Sequence, residues 1–414
     1  MWSGLDTRLL LAARVIRLFA YGFVAIVLVL YLSAIGLDDA RIGWLLSLTL
    51  AGDVVMSLFL TTRADTLGRK RTLIAGALLM VAAAIVFAFT RDFTLLLLAA
   101  TIGVISPSGN EVGPFLAIEQ VALAQTAQGH DRTTIFAWYN LAGSFATAAG
   151  SLAGGLFSGL LQERGFDTLS SYRMTVIAYA FLGAALAIVF ARLSPAVEEE
   201  HAVRRGRLER RPYVTWGRLS RRPETKSRGI IYRLSALFAL DSFAGGLVVQ
   251  SVIAYWFHRR FGLSPVTLGA IFFGANLLAG VSALLAARIA RRIGLLKTMV
   301  FTHLPSNVLL LLVPFMPTLP LAIGVLLLRF SISQMDVPTR QAFVIAAVEP
   351  SERTAAAGIT GVARTMGAAL APVIAVPLIA SLSSDWVPFV AAGVLKIVYD
   401  LVLLASFSNS AQRA

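Results

Sequence analysis

The chain has 414 residues, of which 57% are hydrophobic and only 14% charged, and a formal net charge of +14. Soluble domains carry about 25% charged residues, so a water-soluble globular fold is excluded, and the positive charge belongs to the loops of a membrane protein rather than to a nucleic-acid surface. Cysteine is absent, which removes disulfides and thiol chemistry.

Stretches without a charged residue recur at 72–90, 93–110, 133–162, 174–191, 261–287, 298–328 and 365–384. A bilayer core asks for roughly 20 apolar residues per helix. Lipid leaves no partner for an open backbone, so the choice is helices or a closed barrel, and long runs without strict alternation exclude the barrel. The apolar pattern predicts twelve helices, near 9–34, 41–62, 72–90, 93–124, 132–160, 172–193, 229–257, 265–289, 295–316, 319–347, 353–381 and 386–408.

Helix 1 is too long for a cleavable leader and has no small-residue cleavage site after it; it carries Arg14 and Arg17. Helix 2 carries Asp53 and runs into a basic loop with Arg63, Arg69, Lys70 and Arg71. Helix 4 holds Glu111 and Glu119 beside Pro107, Gly109, Gly113 and Pro114, residues that break or kink a helix. The hydrophilic segment 195–228, with nine arginines and one lysine, reads as a solvated linker between the halves. Helix 7 carries Asp241, and a second basic loop with Arg288, Arg291, Arg292 and Lys297 follows helix 8. His303 lies in a polar stretch of helix 9, where a local hydrogen-bonding kink is expected, with a titrating imidazole as the alternative. Helix 10 carries Arg329, Asp336 and Arg340 around Pro338, helix 11 carries Arg364, and helix 12 carries Lys396 and Asp400, spaced to pair on one face. Trp138, Tyr139, Phe243, Tyr255, Trp256, Phe272 and Phe273 are aromatics that could line a cavity or pack.

The basic loops and the linker fall on one side of an alternating chain, with Arg259 and Arg260 as the exception on the other. The positive-inside rule puts that side, and both termini, in the cytoplasm.

The two halves look like copies. Gly36, Gly43, Gly68 and Thr72 recur as Gly262, Gly269, Gly294 and Thr298. The segment 106–112 is echoed at 331–337, and Glu111 pairs with Asp336 in that register. Asp53 aligns with Ala279, Asp65 with Arg291 and Asp241 with Val15, so those acids are unmatched.

An ionisable residue inside the bilayer costs about 2.5–3.5 kcal/mol on insertion scales, so it faces a cavity or a partner. The expected proton-coupling or substrate residues are Glu111, Asp336, Asp53, Asp241 and Glu119. Carboxylates can carry a proton, whereas Arg14, Arg17, Arg329, Arg340 and Arg364 stay charged and serve as anion ligands or ion-pair partners. A bridge from Asp241 on helix 7 to Arg14 or Arg17 on helix 1 is a further expectation.

Two six-helix halves, a basic linker and a charged loop after helix 2 resemble the major facilitator superfamily. That family's loop signature is Gly-x-x-x-Asp-x-x-Gly-Arg-Lys/Arg. Here it stands as Thr61-Thr62-Arg63-Ala64-Asp65-Thr66-Leu67-Gly68-Arg69-Lys70, with Thr61 in place of the first glycine. The resemblance implies an all-α integral membrane fold of twelve transmembrane helices in two pseudo-symmetric six-helix bundles, at 1–194 and 229–414, joined by the linker 195–228. It also implies that Asp65, Gly68, Arg69 and Lys70 form a conformational-lock loop. The helix 5 stripe Gly150-Ser151-Leu152-Ala153-Gly154-Gly155 is similar to the glycine-rich motif of the family's proton antiporters, with Ser151 in place of proline; its small residues read first as a surface for close helix packing.

The expected function is secondary transport by alternating access, as proton-coupled export of a small amphipathic or toxic compound. The alternatives are uptake or exchange of an organic anion held by intramembrane arginines, and a membrane receptor or scaffold without flux. No enzyme, cofactor, metal site or nucleic-acid partner is expected. The partners are a small-molecule substrate, protons and the lipid bilayer, around a monomer in a bacterial inner (plasma) membrane.

Overall fold

The computed structural model describes residues 4–111, 113–126, 132–198, 227–349 and 352–408. Among these, ten helices are long and apolar enough to cross a membrane, and the pair Leu5–Ala25 and Leu28–Ala34, bent by 43°, crosses as an eleventh. The twelfth crossing is helix 4, split into Phe93–Ile102 and Phe115–Thr126. The other crossings match the expected order within a few residues. Helices 2 and 3 are Asp39–Leu67 and Arg69–Phe89, and helices 5 and 6 are Arg132–Glu163 and Thr168–Ala191. Helix 7 is Arg228–Gly246 with Gln250–Phe261, and helices 8 and 9 are Pro265–Ile293 and Leu295–Leu312. Helix 10 is Leu319–Ser333 with Asp336–Ala346, helix 11 is Arg353–Ala369 with Pro372–Ala380, and helix 12 is Val387–Phe407. The linker 199–226 lies outside the described residues.

Local chemistry sets the ends and the breaks. Helices 2, 4, 6 and 8 start at the pole away from the basic loops, each under a capping side chain. Asp38, Asp92, Asp167 and Ser264 accept from the amides of Arg41, Leu95, Ser170 and Thr267, at 2.8, 2.9, 3.0 and 3.3 Å. One such cap is worth about 1 kcal/mol. Asp92→Ala is therefore expected to lower stability by about 1 kcal/mol, and Asp92→Asn to retain most of it, as read by thermal unfolding in detergent. The break in helix 4 passes through Gly109 and Gly113, at φ +69° and +83°. The break in helix 10 comes just before Pro338, which sits in the first turn of the new segment, where its missing N–H leaves no bond unmade.

The packing carries the duplication into three dimensions. Helix 1 lies along helix 5 as helix 7 lies along helix 11, and helices 3 and 6 pair as helices 9 and 12 do. Between the halves, helix 5 meets helix 8 and helix 11 meets helix 2, the two contacts that a two-fold relation between the halves exchanges. Glycine makes the closest of these approaches possible. A Cβ on Gly150 or Gly154 would stand 2.0 or 2.1 Å from the carbonyl oxygens of Phe19 and Phe23 on helix 1. One on Gly155 would stand 2.2 Å from that of Pro265 on helix 8.

Hydrogen bonds across the halves run from the pole opposite the basic loops to mid-depth. Tyr255 donates to Asp39 at 2.9 Å, and the Val373 amide to Ser47 Oγ at 3.0 Å. Deeper in, the Ser251 amide donates to the Pro107 carbonyl at 3.1 Å. Gln250 Nε2 and Asn276 Nδ2 both donate to Ser151 Oγ, at 3.1 and 3.3 Å.

Candidate functional site

Two buried charge networks stand at the same depth, one in each half. Counting 1.5 Å per residue, Arg17 and Asp241 both lie about 18–20 Å from the basic-pole ends of helices 1 and 7.

The amino-terminal network is centred on Arg17, which is fully buried. Its Nε donates to Glu111 Oε1 at 2.8 Å and its Nη2 to Glu119 Oε2 at 2.9 Å, while Nη1 contacts Glu119 Oε1. Tyr139 donates its hydroxyl to Glu119 as well. The guanidinium lies 4.7 Å over the ring of Phe115, and that of Arg14 lies 4.6 Å over the ring of Tyr139. Arg14 pairs with the other oxygen of Glu111. Two cations thus meet two acids, with an aromatic face against each cation. The break in helix 4 is what brings Glu111 in. Asp53 reaches the same break from helix 2, accepting from the amide of Gly113 and, at 3.1 Å, from Ser57 Oγ. Among the described residues no cation pairs with Asp53.

The carboxy-terminal network is centred on Asp241. Lys396 Nζ donates to its Oδ1 at 2.6 Å and Arg340 Nη1 to its Oδ2 at 3.0 Å. Arg340 also pairs with Asp336, 3.0 Å away and four residues earlier. Asp336 opens the second segment of helix 10, where the helix dipole favours an acid. Asp400 takes His303 Nδ1 at 2.9 Å on one oxygen and Asn307 Nδ2 at 2.9 Å on the other.

Three expectations are corrected here. Lys396 and Asp400 do not pair with each other, because Lys396 turns to helix 7 and Asp400 to helix 9. Asp241 does not bridge to helix 1, because Arg340 and Lys396 of its own half reach it first, and Arg14 and Arg17 are taken by Glu111 and Glu119. His303 joins two helices through Asp400 rather than closing a local kink, and helix 9 runs on through Pro305. Tyr139, Asn307 and Phe115 complete the networks without having been assigned to them. For Asn307 a signal existed, since it lies in the polar stretch that includes His303.

Arg329 and Arg364 differ from the other intramembrane cations. Among the described residues neither makes an ion pair, and the buried Nε of each has no acceptor. Of the expected aromatics, Trp256 and Phe272 are fully buried core, Tyr255 is the cross-half donor, and Trp138 is exposed. Among the described residues no group of acids and histidines is arranged to hold a metal ion.

At the loop after helix 2, Gly68 adopts φ +97°, open to glycine at no steric cost. Behind it, the amides of Arg69 and Lys70 donate to Glu198 at 2.7 and 3.1 Å, so a carboxylate from beyond helix 6 caps the start of helix 3. Lys70 Nζ also donates to the Leu193 carbonyl at 2.7 Å. The side chain of Asp65 lies outside the described residues.

The family model of the Major Facilitator Superfamily matches residues 10–372. The chain belongs to this superfamily. Its fold is therefore the twelve-helix, two-bundle fold of secondary transporters. The uncharacterized membrane protein YJR124C of Saccharomyces cerevisiae is 32% identical to it over 97% of this chain and 94% of its own length. That relative is eukaryotic, and a bacterial inner membrane as the location gains nothing from it. Among solved structures, the nucleoside transporter NupG superposes with a TM-score of 0.72 at 16% identity, covering 98% of this chain and 99% of that one. A bacterial homologue of the human lysosomal transporter Spinster, inward-facing and occupied, superposes with a TM-score of 0.69 at 15% identity, covering 98% and 96%. At such identities the likeness is one of fold alone.

Proposed function

We propose that this superfamily member carries an organic anion by alternating access, with Arg329 and Arg364 as anion ligands and Asp53 as a proton-exchanging carboxylate. One observation carries the reading. Arg14, Arg17, Arg340 and Lys396 each have an acid, whereas Arg329 and Arg364 have none among the described residues. An unpaired cation at membrane depth costs about 2.5–3.5 kcal/mol on insertion scales. A structural role would remove that cost by pairing, and a carboxylate, sulfonate or phosphate on a substrate removes it during transport, with the guanidinium fork giving geometric choice. In the amino-terminal half, Asp53 is an acid that can exchange a proton without an ion pair being broken among the described residues, and its bond to the Gly113 amide connects it to the break beside Glu111.

Glu111 and Asp336, each held by arginine, act in this reading as parts of the switch and not as proton carriers. The glycine stripe of helix 5 does not by itself argue for export. Close packing on helices 1 and 8 accounts for Gly150, Gly154 and Gly155. The basic pole faces the cytoplasm by the positive-inside rule, and the cross-half bonds at the other pole close the path on the far side.

A thermal-shift screen over carboxylates, sulfonates, phosphates, neutral compounds and cations tests this. Stabilising compounds are expected among the anions, and Arg329→Ala or Arg364→Ala should weaken their binding at least tenfold. Stabilisation by cations or neutral compounds that both variants retain would sink the anion reading.

A further inference from the structure

A cavity at the basic pole of the carboxy-terminal half takes no part in the reading above. Ala287, Ala290 and Arg291 of helix 8, Leu295 of helix 9, and Pro338 and Ala342 of helix 10 line it, and its volume is about 300 Å³. The walls are almost wholly apolar. The hydroxyl of Thr339 at one wall bonds back to the Met335 carbonyl at 2.9 Å, which leaves Arg291 as the polar group offered to a guest.

The cavity faces the amino-terminal half. Helix 8 turns Asn276 and Gly280 towards helix 5: Asn276 donates to Ser151, and a Cβ on Gly280 would stand 3.0 Å from that of Ser144. Ala287 and Arg291 follow Gly280 by seven and eleven residues, about two and three helical turns, so they share that face. Helix 5 meets helix 8 at Gly280, whereas Ala287 and Arg291 are exposed. The cover ends between them, and the cavity opens to the cytoplasmic side of the cleft.

The matching corner of the amino-terminal half is filled by the chain itself. The short helix Pro195–Val197 packs on the second segment of helix 4, with Val197 fully buried. Arg69, which the repeat aligns with Leu295, donates to the Val197 carbonyl at 3.4 Å. Duplication alone therefore does not account for an open cavity in the other half.

Charge and shape name the guest. Among the described residues no acid pairs with Arg291, and Arg288, Arg292 and Lys297 beside it are exposed cations as well. A basic rim of this kind raises the local concentration of anions, and a guanidinium grips a carboxylate, sulfonate or phosphate through its planar fork. The apolar walls suit an alkyl or aryl group, and the volume lies at the lower end of small-molecule sites. Along helix 10, Pro338 stands nine residues from Arg329, about 13 Å at helical rise. The cavity is thus one step outward from the arginines of the proposed anion site.

We propose that this cavity is a peripheral site for an amphipathic organic anion on the cytoplasmic side. The charged group sits on Arg291, the apolar part lies between helices 8 and 10, and the anion exchanges from there with Arg329 and Arg364. The inference rests on the anion reading and adds to it an apolar portion on the substrate.

The chain has no cysteine, so Ala287→Cys puts a single thiol in the cavity. Its alkylation by N-ethylmaleimide is followed on the full chain in nanodiscs of zwitterionic lipid. Octanesulfonate is expected to slow the reaction at least threefold, and methanesulfonate or octyltrimethylammonium at the same concentration to leave it unchanged. Arg291→Ala should abolish the protection and Arg291→Lys retain part of it. Ala342→Cys, on the facing wall, gives the same readout if Ala287→Cys folds poorly. Absence of protection overturns the proposal, as does protection that Arg291→Ala keeps or that octyltrimethylammonium matches. Protection by phosphatidylglycerol in the disc, to which octanesulfonate adds nothing, also overturns it and assigns the cavity to lipid. Arg329 and Arg364 stay intact throughout, so a failure here is distinct from a failure of the anion reading, which their own variants decide.

Discussion

Arg17→Met is expected to remove about 3–5 kcal/mol of stability, the usual result of taking one partner out of a buried ion pair. Arg17 is fully buried and serves Glu111 and Glu119 together. Without it Arg14 keeps Glu111, and Glu119 remains as a buried charge to which, among the described residues, the Tyr139 hydroxyl is the remaining side-chain donor. The loss comes from that stranded charge more than from the absent cation, so a second change should restore part of it. The double variant Arg17→Met, Glu119→Gln is expected to unfold at a higher temperature than Arg17→Met alone. Strict additivity of the two single effects in that cycle would show that the pair does not act as a unit. The measurement is thermal unfolding in detergent, with the folded monodisperse fraction as a second readout.

The second large effect is steric. In Gly150→Val the first added carbon would lie 2.0 Å from the Phe19 carbonyl oxygen, and a backbone atom cannot swing aside as a side chain can. Helices 1 and 5 would have to separate, which moves Arg14 and Arg17 away from Tyr139. Overpacking typically costs about 1–3 kcal/mol, and a backbone contact of this kind belongs at or above the top of that range. Gly358→Ala is the internal control. It lies within helix 11 with nothing within 4 Å of its added carbon, and an alanine there gains about 0.8–1 kcal/mol of helix propensity. Gly150→Val should fail to yield folded protein while Gly358→Ala unfolds at or above the wild-type temperature. Equal behaviour of the two would remove the close-packing account of the helix 5 stripe.

The two cases show where sequence reading stops. The stripe 150–155 is visible as a row of small residues, but a row of small residues is equally a transport motif and a packing surface. Its neighbour decides, and the neighbour is a helix more than a hundred residues away in the chain. Charges behave in the same way. The spacing of Lys396 and Asp400 puts both on one face of helix 12, which makes a pair possible. The fold offers each of them another partner, from helix 7 and from helix 9.

What the sequence by itself determined is everything governed by local physics. Apolar length against bilayer thickness set the class and the twelve crossings. The distribution of arginine and lysine set the polarity of the loops. Glycine and proline marked the break in helix 4 and the one before Pro338, and the constant spacing between the halves announced the duplication that the paired packing of helices 1 with 5 and 7 with 11 repeats in space. Only the tertiary structure decided which acid each buried cation holds, that Arg329 and Arg364 hold none among the described residues, and that His303 sits between two carboxylates. The physical reason is that helical periodicity fixes the face a side chain occupies, whereas a charge in lipid takes whichever counter-charge the neighbouring helices bring within about 3 Å.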